Sequence, residues 1–140
     1  MQAKAKYRLF FALSLLWLAF MLSQSALPAT VSHQESIGIL SGLRSLFPWL
    51  SHTLLRKLGH VTEYALFGLL LGLCLHYRGR FSLLRGLAFS LAAALLDETL
   101  QLFIPGRSGE IRDLWIDLGG AAVSLLLLFL LCRRKAAPKA

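Results

Sequence analysis

The sequence predicts an all-α integral membrane protein built as a four-helix bundle, and three observations carry that expectation. Of its 140 residues, 56% are hydrophobic and only 16% are charged. With a mean hydropathy of +0.64, that is too apolar for a soluble domain of this length. Four apolar stretches, about 9–27, 58–77, 82–102 and 113–132, each approach the roughly 20 residues that cross about 30 Å of hydrocarbon. Lysine and arginine gather at the ends of these stretches. Backbone groups in lipid have no water to pair with, so each stretch is expected to be helical. No internal repeat or low-complexity linker interrupts the chain, and residues 1–140 read as one domain.

The net charge of +8 would suggest nucleic acid in a soluble protein. Here the basic residues flank apolar spans, as membrane orientation requires, and no nucleic-acid partner is expected. Lys4, Lys6 and Arg8 precede the first span, Arg78, Arg80 and Arg85 lie at the hairpin after the second, and Arg133, Arg134, Lys135 and Lys139 follow the last. Only Arg44, Arg56, Lys57, Arg107 and Arg112 lie on the other side. By the positive-inside rule both termini are then cytoplasmic, and 28–57 and 103–112 are outer loops.

The first span has a rival reading, because KAKYR, an apolar run and SQSALPA also resemble a secretory signal. The run extends to Leu27 with Trp17 inside it, longer than a usual signal core, so a retained helix is expected. In the following loop, Ser32 and Glu35 have capping-box spacing, and Ile37, Leu40, Leu43 and Phe47 recur as one face before Pro48. This predicts a short interfacial helix, with Trp49 suited to the headgroup region; a loop that merely covers the bundle fits equally. His33 and His52 read as solvated, and His76 receives no role. Cys74 and Cys132 fall near cytoplasmic span ends, where small apolar packing is expected rather than a disulfide.

The second, third and fourth spans carry charges at one depth. His60 and Glu63 open the second, Asp97, Glu98 and Gln101 close the third before Pro105 and Gly106, and Asp113 and Asp117 open the fourth. Because successive spans alternate in direction, a start, an end and a start meet on the outer side. Five of the seven acidic residues lie in this layer. Spacings of three (His60, Glu63) and four (Asp97, Gln101; Asp113, Asp117) put each set on one helix face. Carboxylates this close cannot all ionise cheaply unless Lys57, His60, Arg107, Arg112 or a cation compensates, and such groups are the material of acid/base chemistry.

KLGHVTEYALFGLLL followed by DETLQLFIPGRSGEIRDLWIDLGGAAVS resembles the VanZ-like membrane family, named for an accessory protein of teicoplanin resistance. The family pattern runs Lys-x-x-His-x-x-Glu-Tyr, then Asp-Glu-x-x-Gln with Pro-Gly-Arg after it, then Asp-x-x-x-Asn-x-x-Gly. Lys57, His60, Glu63, Tyr64, Glu98, Gln101, Pro105, Gly106, Arg107, Asp113 and Gly120 match in order, over about residues 57–124. Asp117 stands where Asn is usual, adding a carboxylate. The resemblance implies a multi-pass protein of the bacterial inner membrane and an effect on glycopeptide susceptibility; it leaves the mechanism to be argued from the layer itself.

Three readings of the layer follow. In the first it is a catalytic or lipid-handling site, with His60, Glu63, Asp97, Glu98 and Asp113 as acid/base and electrostatic groups. Lys57, Gln101, Arg107 and Asp117 would then bind an anionic, lipid-linked or cell-wall-related ligand. In the second, a non-enzymatic accessory protein presents the layer to an envelope partner. In the third the layer is a clasp, with bridges such as Glu98–Arg107 and Asp113–Lys57. Membrane lipids are partners in all three. A single divalent metal on His60, Glu63, Glu98 and Asp113 is conceivable but not favoured, since a two-metal bundle wants two Glu and His pairs and only one is present. Gly68, Gly72, Gly120 and Ser124 read as close-packing positions.

Overall fold

The structure, a computed structural model, describes residues 2–43, 45–107 and 109–136, with side chains left out for Glu35 and for 134–136. Arg44 and Lys139, and the side chains of Arg134 and Lys135, all counted in the charge asymmetry, therefore lie outside the described residues. Five helices follow in order: α1 (Gln2–Ser25), α2 (Ala29–Leu43), α3 (His52–Tyr77), α4 (Leu83–Gln101) and α5 (Ile111–Ala136). The described residues contain no strand.

Three helices are long and apolar enough to cross a membrane: Gln2–Ser25, His52–Tyr77 and Ile111–Arg133, with mean hydropathies of 1.5, 1.6 and 2.2. The fourth expected span, α4, is the shortest of the long helices at 19 residues and carries Arg85, Asp97 and Glu98, which dilute its apolar character. Helix α3 starts six positions before the expected boundary, because the Ser51 hydroxyl caps it by accepting from the Leu54 amide at 3.2 Å. Arg56 and Lys57 are thereby helical rather than loop residues.

Helix α2 forms where a short helix was expected, but it begins after Pro28, whose carbonyl accepts from the Val31 and Ser32 amides. Ser32 is thus inside the helix, and its carbonyl accepts from the Ser36 hydroxyl instead of its side chain capping the start. The Glu35 side chain of the expected capping box lies outside the described residues. Of the anticipated face, Leu40 is buried while Ile37 and Phe47 are exposed, so α2 holds to the rest of the chain by little apolar area.

Helix α3 is central, packing most extensively on α5, then on α1, with α4 against α5. Small residues set the α3–α5 separation. A Cβ on Gly120 would collide with the Val61 carbonyl oxygen, and one on Gly68 would lie 2.9 Å from the Ala121 carbonyl and 2.6 Å from the Ser124 hydroxyl. Met21, Tyr64, Phe67, Ala93, Ala94, Ala121 and Leu125 form the buried core. Leu9, Leu16, Leu84, Leu96 and Leu127 stay exposed on the outer faces, as suits contact with lipid.

Contacts at the two ends fix the relative directions of the helices. At one end the Arg78 guanidinium donates to the Tyr7 hydroxyl at 2.9 Å and Phe10 stacks on Tyr77 with centroids 5.6 Å apart, joining the start of α1 to the end of α3. At the other end the Ala29 amide donates to the Pro105 carbonyl, and Arg56 meets Asp113. The ends of α1 and α4 and the starts of α3 and α5 therefore share one layer.

Two glycines one position apart on α5 give a test of opposite sign. Gly120→Ala is expected to destabilise by about 1–3 kcal/mol through overpacking against the α3 backbone. Gly119→Ala, with nothing within 4 Å of the added Cβ, is expected to be neutral or stabilising by up to about 1 kcal/mol from helix propensity. Thermal unfolding of the detergent-solubilised variants checks both, and equal effects would refute the close approach.

Candidate functional site

Within the shared layer, Asp97, Glu98, Gln101, Asp113 and Asp117 are buried, and His60 and Glu63 are partly so. On α3, Arg56, His60 and Tyr64 follow at intervals of four, one above another on the face toward α5. On α4 intervals of four, three and four line up Ser90, Ala94, Asp97 and Gln101 within one buried stripe. Helix geometry alone thus turns these polar groups inward.

The pairings differ from those expected. Arg56, not Lys57, meets Asp113, with Nη2 3.0 Å from Oδ2; one residue along a helix is about 100° of rotation, which turns Lys57 away. Glu98 does not bridge to Arg107. Its Oε2 accepts from the Glu110 amide at 2.7 Å, holding the start of α5 against the end of α4. Arg107 instead donates from Nε to the Leu27 carbonyl at 2.8 Å and from Nη2 to the Gln24 carbonyl at 3.0 Å. It gives the Gln24 carbonyl, which also accepts from the Leu27 amide, a second donor, and it satisfies the Leu27 carbonyl just past the end of α1. Burial, then the neighbouring Arg56 guanidinium, pulls the Arg107 pKa down against the carboxylates Asp97, Glu63 and Glu98. Gly106, at φ 75°, makes the turn that aims it, a conformation glycine adopts without strain.

His60 Nδ1 lies 3.0 Å from Asp117 Oδ1, and Asp117 is fully buried. One ligand-type atom from each of His60, Asp97 and Asp117 lies within 4.8 Å of the others. This is not the set first considered for a metal: Glu63, Glu98 and Asp113 do not join it among the described residues. The Glu63 carbonyl accepts from the Trp17 indole at 3.0 Å, which draws α1 onto α3.

Among the described residues, several buried polar atoms of the layer have no hydrogen-bond partner: Tyr64 Oη, Asp97 Oδ1, Glu98 Oε1, Gln101 Nε2, Asp113 Oδ1 and Asp117 Oδ2. Beside the layer opens a cavity of about 720 Å³ between α2, the start of α3 and the 102–110 loop. Arg56, Lys57, Arg107 and Arg112 line it with Glu110, His33 and His52. The two imidazoles, expected to be merely solvated, stack with centroids 4.4 Å apart. At the far end of the molecule His76 Nδ1 lies 3.5 Å from Cys132 Sγ, and both cysteines are free.

Sequence reasoning missed Arg56, Tyr64 and the α1 carbonyls as parts of the layer. Four-residue spacing from His60 could have found the first two. Nothing in the sequence marks the last, because any residue supplies a carbonyl.

Helices long and apolar enough to cross a membrane, with an inward-facing polar layer at one end, mark the chain as a membrane protein. The profile of the VanZ/LLP1 family matches residues 10–132, most of the chain, and the protein belongs to that family. No curated protein and no solved structure matches it.

The bonds of Arg107 identify it as a tie between α1 and the 102–110 loop. Arg107→Lys keeps the charge but cannot reach both carbonyls with a planar fork. It is expected to cost about 1–3 kcal/mol, read as a lower melting temperature in detergent; unchanged melting would refute the tie.

Proposed function

We propose that this VanZ/LLP1 protein is a multi-pass protein of the bacterial inner membrane that binds the anionic head group of a lipid-linked, cell-envelope ligand at its outer face. In this reading α1, α3, α4 and α5 cross as a four-helix bundle, both termini are cytoplasmic, and α2 lies on the outer surface. The carrying observation is the cavity wall, where Arg56, Lys57, Arg107 and Arg112 face one carboxylate, Glu110. Among the described residues the only ion pairs are Arg56–Asp113 and His60–Asp117, so Lys57 and Arg112 hold no carboxylate. Cations beside a membrane surface that are not neutralised internally suit a phosphate or carboxylate from outside.

Lys57 and Arg112 are the direct ligand contacts in this scheme, Arg107 shapes the cavity, and Gln101 and Asp117 belong to the buried polar layer beside it. His60, Glu63, Asp97, Glu98 and Asp113 supply proton-holding groups next to the bound head group, the arrangement acid/base chemistry uses. Engagement of such a ligand would link the protein to glycopeptide susceptibility, teicoplanin included. The competing reading is an accessory protein with a structural clasp, and the Arg56–Asp113 and His60–Asp117 pairs favour it. Glu98→Gln, His60→Gln and Asp113→Asn separate the two. A site loses the envelope phenotype while folded protein stays abundant; a clasp loses both together.

Two further outcomes are expected. Lys57→Gln with Arg112→Gln should weaken binding of an isoprenoid lipid phosphate in nanodiscs at least tenfold, with membrane abundance unchanged. Equal retention by the variant and the wild type would refute the cavity as the binding site. A reporter active only outside the membrane should be silent at the C-terminus, and activity there would refute the topology.

A further inference from the structure

We infer that His60, Asp97 and Asp117, brought together from α3, α4 and α5, form a binding site for one divalent metal ion. One imidazole and two carboxylates offer the mixed nitrogen and oxygen donors that suit zinc or manganese. Their converging atoms lie within 4.8 Å of one another. The 3.0 Å between His60 Nδ1 and Asp117 Oδ1 is about the distance between adjacent ligands when each metal bond is roughly 2.1 Å.

Proximity of acidic groups would not by itself make a site; the orphaned atoms provide the second observation. Asp117 is 0% exposed and Asp97 2% exposed, yet Asp117 Oδ2 and Asp97 Oδ1 have no hydrogen-bond partner. A carboxylate oxygen deprived of both water and a donor loses several kcal/mol of solvation, and a cation is the partner that recovers most of it. Tyr64 Oη, fully buried four residues from His60, is also unpartnered among the described residues. It is a donor of the kind that orients metal-bound oxygen ligands.

Charge points the same way. Among the described residues, Arg56, Arg107 and His60 face Glu63, Asp97, Glu98, Asp113 and Asp117 from the packed helices and loop, His60 being charged only when protonated. A divalent ion reduces that excess where the dielectric constant is low and unbalanced charge is costly.

The test uses the full chain in nanodiscs, stripped with chelator and titrated with Mn²⁺ alone, followed by electron paramagnetic resonance and equilibrium metal content, with Zn²⁺ as competitor. One Mn²⁺ per chain is expected, displaced by Zn²⁺. Asp97→Asn and Asp117→Asn should each weaken binding at least tenfold. Thr99→Ala, on the exposed side of α4, should bind as wild type. The apo variants' melting temperatures establish that they fold, and His60→Gln provides a third variant if either Asn substitution does not. Absence of saturable one-to-one binding, or binding retained when Asp97 and Asp117 are both changed, overturns the site. No lipid ligand is present in the titration, so its outcome is independent of whether the cationic cavity binds head groups.

Discussion

The close approach of α3 and α5 is the constraint on which the polar layer depends. Gly120 lies against the Val61 carbonyl, and no side chain fits between them. His60 adjoins Val61 in the chain, and Asp117 is three residues before Gly120, less than one turn away. Contact between the two backbones therefore brings the imidazole and the carboxylate within 3.0 Å. Glycine spacing in membrane helices is usually a packing device; here the same device sets the geometry of ionisable groups.

The layer then resolves a conflict inherent in the chain. Apolar helices exclude water, whereas five carboxylates require solvation or partners. Part of the demand is met by a guanidinium in the first turns of α3 and by an amide of the loop before α5. Arg56 pairs with Asp113, and the Glu110 amide donates to Glu98. The rest falls on Asp97, Asp117 and their neighbours, where orphaned oxygens collect. Polar groups whose demands are unmet in a packed environment are unfavourable for folding alone, which is the physical ground for expecting a ligand at the junction. Cations meanwhile accumulate one step outward, along the cavity, so opposite potentials lie side by side where helices give way to loops.

Much of this was legible in the sequence. Hydropathy and charge placement located both ends of α4 and α5 to within four residues, whereas α1 begins seven residues before the expected span, and local capping at Ser51 and Pro28 set the starts of α3 and α2. Depth and four-residue spacing gathered the right carboxylates into one layer. They did not give the partners. Choosing Arg56 over Lys57 for Asp113 depends on helix rotation, and the attraction of Arg107 to the carbonyls of Gln24 and Leu27 depends on a tertiary contact across 83 and 80 positions. Sequence shows which charges need partners more readily than it shows which backbone groups will serve.

That Arg107 contact also orders the protein's biogenesis. Helix α1 is synthesised first and shares little surface with α4, while the guanidinium that closes its open end lies between α4 and α5. During synthesis, the donors that Arg107 gives to the Gln24 and Leu27 carbonyls are missing until the 102–110 loop has been made. Completion of the junction is therefore a late event, which waits for the chain that follows α4. A chain that stops short of Arg107 would leave both the end of α1 without its guanidinium and the acidic end of α4 without the Glu110 amide, so the two ends are completed by the same short loop.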